Sequence, residues 1–79
     1  FHKVKILVNN EVKGSFVTSK VFLEVEPGDL IELDGEAVNK NLTVKITSTD
    51  NNIDTPPVGL EVTTFGTNEL IGWVTVNNE

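Results

Sequence analysis

One period runs through this chain, and it is two. Val4, Ile6 and Val8 alternate with Lys3, Lys5 and Leu7; Val21, Leu23 and Val25 with Phe22, Glu24 and Glu26; Leu42, Val44 and Ile46 with Thr43, Lys45 and Thr47. Successive side chains of a strand point to opposite faces, so each triplet reads as a strand with one face buried. Residues 29–33 (DLIEL), 58–65 (VGLEVTTF) and 70–76 (LIGWVTV) follow the rule less cleanly, and a short strand is expected around Phe16 and Val17. No segment sustains a helical period, and Ala37 is the only alanine. Val, Ile and Thr dominate instead, as a pleated surface prefers. The segments are separated by NNE at 9–11, PGD at 27–29, DGEAVNKN at 34–41, a polar stretch around 48–57 and GTNE at 66–69, all turn chemistry. The class is all-β, with a core expected from Val4, Ile6, Leu23, Val25, Ile31, Leu33, Val44, Ile46, Leu60, Val62, Val74 and Val76.

With 79 residues, 38% of them hydrophobic, the chain suits one domain spanning 1–79. It opens on Phe1 rather than Met, and the expectation is a module excised from a larger multi-domain protein. A domain this small buries roughly 60% of its unfolded surface, so packing has to be good. There is no cysteine, which removes disulfides, thiolate metal sites and a Cys nucleophile.

Twelve Asp and Glu face six Lys with no Arg, for a net charge of -6. Nucleic acid binding draws on clustered cations, so this balance excludes it as an expected partner, and an anionic membrane surface with it. No apolar run approaches the ~20 residues of a membrane-spanning helix, so membrane insertion is not expected.

The stretch VFLEVEPGDLIEL bears on architecture. As a hairpin with Pro27 and Gly28 as the loop, it would pair Leu23 with Glu32 and Val25 with Leu30, setting the apolar faces out of step. A three-residue loop restores the faces but opposes Glu24 to Glu32, a like-charge pair. A corner, in which the chain leaves one sheet for another, avoids both problems and favours a small antiparallel β-sandwich. The residues LEVEPGDLIEL resemble the opening of immunoglobulin-like domains in bacterial surface and phage proteins, a resemblance that implies an extracellular or cell-surface setting. The Cys, Trp, Cys pattern of antibody domains is missing. IGWVTV, residues 71–76, is similar to the closing strand of bacterial SH3-like barrels, which implies the alternative of a small barrel that binds cell-wall peptides or protein ligands.

Catalytic signals are thin. The only histidine is His2, at a terminus, and no nucleophile motif surrounds Ser15, Ser19 or Ser48. Glu24, Glu26 and Glu32 are placed to share a polar face, where the plain reading is a solvated surface. No catalytic residue and no cofactor is assigned. Asp50, Asn52, Asp54 and Glu61 fall at positions 1, 3, 5 and 12 of a calcium-loop pattern, with the Pro56 carbonyl at position 7. Thr55 occupies position 6, where the sharp turn calls for Gly, and Pro57 stiffens the loop, so a polar turn is expected there. Asn41, Leu42 and Thr43 form an N-glycosylation sequon. Trp73, Phe22 and Phe65 face outward if Val74, Leu23 and Val62 face in, which makes them the candidate ligand-binding residues.

The sequence therefore leads to a non-enzymatic structural or protein-interaction module of the spacer or adhesion type, with protein partners in neighbouring domains or another chain. The alternative is a ligand-binding module for carbohydrate, cell wall or calcium.

Overall fold

The computed structural model describes residues 4–16, 20–38 and 40–77. Among them are eight strands and no helix: β1 (Lys5–Val8), β2 (Glu11–Ser15), β3 (Leu30–Asp34), β4 (Asn41–Lys45), β5 (Ile53–Thr55), β6 (Glu61–Phe65), β7 (Asn68–Trp73) and β8 (Thr75–Val76). All pairings are antiparallel. A four-stranded sheet has the order β2-β1-β3-β7, and two-stranded sheets are formed by β4 with β6 and by β5 with β8. This architecture is compatible with a small β-sandwich. The body measures 43 × 22 × 19 Å.

The β1–β2 hairpin follows from its two-residue loop. Asn9 and Asn10 have φ of 53° and 69°. Two successive positive φ values define the turn whose twist matches that of paired strands, and Asn tolerates that backbone better than most residues. Residues 9–11 read as turn punctuation in the sequence, but β2 itself was not expected. Its one large apolar residue, Val12, is exposed, so it carries no inward alternation to detect. Of the short strand expected at Phe16 and Val17, Val17 lies outside the described residues. Phe16 follows β2, its amide donating to the Val4 carbonyl at 3.2 Å.

Residues 21–25 keep the expected alternation, with Val21, Leu23 and Val25 half-buried against the core and Phe22 and Glu24 exposed, yet they join no ladder. The segment does not form a hairpin with β3, whose neighbours are β1 and β7. The corner between them is held by Asp29. Its carboxylate accepts from the Glu26 amide at 2.8 Å and from Asn9 Nδ2 at 2.9 Å. The Asn9 side-chain oxygen in turn accepts from the Leu30 amide at 3.0 Å. Gly28, at φ 88°, donates to the Val74 carbonyl at 2.8 Å, so the corner is tied to the chain just after β7.

Val4, Ile6, Ile31, Leu33 and Val74 form a buried cluster against which Leu23, Val25, Leu42, Val44, Val62 and Val76 pack, and Val8 is buried as well. Of the twelve core positions expected from the sequence, Val4, Ile6, Ile31, Leu33 and Val74 are buried, whereas Leu23, Val25, Val44, Ile46, Leu60, Val62 and Val76 are half-buried. One buried residue breaks the apolar rule. Thr64 on β6 is fully buried, its hydroxyl donating to the Thr67 carbonyl at 2.6 Å and accepting from the Thr67 amide at 3.1 Å. The same Thr67 carbonyl accepts from the Gly35 amide at 3.0 Å, which joins the end of β3 to the β6–β7 turn.

Candidate functional site

The four-stranded sheet has two unlike faces. Ile6, Val8, Ile31 and Leu33 point into the core; Lys5, Leu7, Leu30, Glu32 and Asp34, one residue out of phase, lie on the opposite, outer face. Register aligns these outer residues in rows. Leu7 is opposite Val12 on β2 and Glu32 on β3, and Glu32 is opposite Leu70 on β7. One row thus reads Val12, Leu7, Glu32, Leu70 and runs about 14 Å across the sheet. Leu30 and Trp73 are paired in the next row on one side, and Ser15, Lys5, Asp34 and Asn68 form the row on the other.

The pairing of β3 with β7 shifts between Ile31 and Glu32, because Ile31 is opposite Gly72 and Glu32 opposite Leu70, leaving Ile71 as an extra residue. Such a bulge re-aims the side chains beyond it. Here it makes Leu70 and Trp73, three apart in sequence, successive outward positions on one face. Gly72 stands at the irregularity with φ 147°, a conformation side-chain-bearing residues rarely adopt.

The outer face is open, and two of its rows, that of Val12, Leu7, Glu32 and Leu70 and that of Leu30 and Trp73, are largely apolar beside the polar row of Ser15, Lys5, Asp34 and Asn68. Val12, Leu70 and Trp73 are 57%, 52% and 54% exposed, and Leu7 and Leu30 are half-buried between them. Glu32 sits amid them, and its Oε1 atom is buried without a hydrogen-bond partner. Most carboxylate oxygens removed from water are hydrogen-bonded, so this one is an exception.

The three aromatic candidates are all exposed, but they stand on different elements. Trp73 ends β7 on the outer face described above. Phe65, 63% exposed, ends β6 opposite Asn41, at the turn end of the β6–β7 connection and away from Trp73. Phe22, 86% exposed, lies on the unpaired segment preceding β3. Sequence reasoning picked out Trp73 but missed Val12, Leu70 and Glu32 as its companions. Their grouping depends on register and on the bulge.

Of the three glutamates considered as a set, Glu24 and Glu26 line an open groove of about 510 Å³ with Val8, Asn9, Glu11, Lys13, Val25 and Asp29, while Glu32 is on the outer face of the sheet. Within the groove Lys13 pairs with Glu11 at 3.3 Å. The Asp29 carboxyl is held below the usual carboxylate range, first by the Glu26 amide and then by Asn9. That carboxylate is occupied in fixing the corner.

The Asp50 stretch divides between two sheets. The Ile53 amide donates to the Asp50 carbonyl at 3.1 Å, closing a turn through Asn51 and Asn52. Asp54 follows on β5, which pairs with β8, whereas Glu61 is exposed on β6 opposite Lys45 of β4. Thr55 secures β5 by its hydroxyl, within hydrogen-bonding distance of Thr75 Oγ1 at 2.7 Å and donating to the Trp73 carbonyl at 2.8 Å. The peptide bond from Thr55 to the buried Pro56 is cis. Among the described residues no group of three His, Cys, Asp or Glu side chains is placed to hold a metal ion. No described helix is long and apolar enough to cross a membrane.

No protein-family model matches the chain, and neither a curated protein nor a solved structure matches it.

Proposed function

We propose that the chain is a non-enzymatic protein-interaction module built on an immunoglobulin-like β-sandwich, with the spacer or adhesion-type role such domains serve. The observation that supports this reading most directly is the outer face of the four-stranded sheet. Val12, Leu70 and Trp73 lie exposed around half-buried leucines, on a sheet whose other face carries the core. Contiguous exposed apolar residues rimmed by polar ones mark interaction surfaces. The acidic balance, -6 without any Arg, turns the reading away from nucleic acid and toward proteins.

The competing reading is carbohydrate or cell-wall binding through Trp73, since an exposed indole stacks on sugar rings. Trp73 is the only tryptophan in the chain, so its fluorescence reports on this surface alone. Titration with soluble β-glucan, chitin and peptidoglycan fragments is expected to leave its emission unchanged. Saturable quenching in the parent, with a binding heat in calorimetry that Trp73→Phe retains and Trp73→Ser abolishes, would install the carbohydrate reading instead.

A further inference from the structure

We propose that the outer face of the four-stranded sheet docks a protein segment that places one cationic side chain, preferably Arg, against Glu32 with apolar residues on either side of it. The inference rests on the interaction-module reading and adds the surface and the chemistry of the partner.

The row Val12, Leu7, Glu32, Leu70 puts an acid in the middle of an otherwise apolar strip, with Trp73 and Leu30 paired beside it. Glu32 Oε1 is out of contact with water and lacks a donor. The cations within the sheet do not meet that need, because Lys5 lies opposite Asp34 in the adjoining row and Lys13 is paired to Glu11. A buried polar atom without a partner costs free energy, and a cation docked on this face recovers it once the Glu32 side chain turns its carboxylate toward the partner. A guanidinium suits the position well: its planar fork matches a carboxylate that has turned outward, and its face stacks on an indole, here that of Trp73.

The same feature selects against other occupants. A second copy of this chain, docking by a two-fold axis, would bring one Glu32 patch against another, and each copy carries a net charge of -6. An anionic lipid surface meets the same repulsion. A neutral glycan stacks on Trp73 but brings no charge to Glu32.

The test is a selection of displayed random twelve-residue peptides on the whole 79-residue chain, with counter-selection on Glu32→Gln and on Leu70→Ser. Enriched peptides are expected to carry an Arg or Lys flanked by apolar residues. Their affinity should fall about tenfold or more on Glu32→Gln and on replacing that cation with Gln, with the two changes together costing little beyond either alone. Amide shifts on binding should centre on Leu7, Val12, Glu32 and Leu70. Melting curves must show both variants folded; Val12→Ser and Trp73→Ser stand in if Leu70→Ser unfolds. Peptides enriched without a cation, or binding equally well to Glu32→Gln, overturn the proposal. Peptides whose shifts map to the groove by Glu24 and Glu26 overturn it too, while leaving the interaction-module reading in place. Failure to enrich any peptide overturns it as well, and if joined to glycan quenching of Trp73 it removes the interaction-module reading too. A concentration-dependent dimer that Glu32→Gln strengthens would assign the face to a second copy.

Discussion

Gly35→Ala is expected to destabilise the domain by about 2 kcal/mol, and the reason lies in a contact invisible along the strand. A Cβ on Gly35 would sit 2.5 Å from Thr64 Cγ2 and 2.6 Å from Thr64 Oγ1. Neither atom is free to retreat, because Thr64 is fully buried and its hydroxyl is fixed between the Thr67 carbonyl and amide. Overpacking of this kind costs roughly 1–3 kcal/mol, and turning the hydroxyl out of place forfeits about another 0.5–1.5. Restricting the unfolded chain returns about 0.4–1 kcal/mol, which leaves a net loss near 2. For a domain of this size the melting temperature should fall by about 8–16 °C. Thermal and urea melts of Gly35→Ala, Thr64→Ala and the double variant measure the coupling. Once Thr64 is truncated, Gly35→Ala should become cheaper by about 1 kcal/mol or more. Gly14→Ala is the control. Its Cβ meets terminal methyls of Val21 and Leu23, on a segment held by no ladder, so a smaller loss is expected there. If Gly35→Ala melts within about 0.5 kcal/mol of the parent in both backgrounds, the Thr64 contact does not constrain the fold as argued.

Leu33, fully buried on the central strand β3, should cost about 2–5 kcal/mol when cut to Ala, enough to leave a domain this small substantially unfolded by circular dichroism. The Asp29 carboxyl is held below its ordinary value by the Glu26 amide and Asn9, so its contribution is present above about pH 4 and lost as pH falls through the lower folded value. The stability gap between the parent and Asp29→Asn, measured by urea melts from pH 7 downward, should therefore hold to about pH 4 and close below it. Millimolar calcium should leave the melting temperature unchanged, since Asp54 and Glu61 belong to different sheets; a rise abolished by Asp50→Ala would show a bound ion.

Much of the fold was legible because burial on one face writes itself into alternation. Of the twelve core positions that phase predicts, Val4, Ile6, Ile31, Leu33 and Val74 are buried and the other seven are half-buried. What alternation could not show were elements stabilised by something other than an inward apolar row. β2 is set by the Asn9–Asn10 turn and pairs through Gly14 and an outward Val12. β5 is three residues long and held by Thr55 hydroxyl bonds within a stretch whose Asp and Asn content reads as loop. The converse error is the segment 21–25, whose apolar residues do face the core but whose backbone joins no ladder. Period two reports side-chain burial, and strand pairing is a separate fact.

The same distinction explains why the candidate site was only partly visible. A strict two-residue count along LIGWVTV puts Leu70 with Gly72 and Val74 and places Trp73 on the other side, so it never joins Leu70 to Trp73. The extra residue Ile71 at the bulge changes the count, letting Val74 enter the core while Leu70 and Trp73 share the outer face. Along its own strand Glu32 reads as one of several solvated acids, because Leu30, Glu32 and Asp34 form an ordinary outward series. Only when β1 and β7 bring Leu7 and Leu70 to either side does that acid become a charged group in apolar surroundings. A surface of this kind is made across strands rather than along them, so its residues, at 7, 12, 32, 70 and 73, lie too far apart in the chain for any local motif to record.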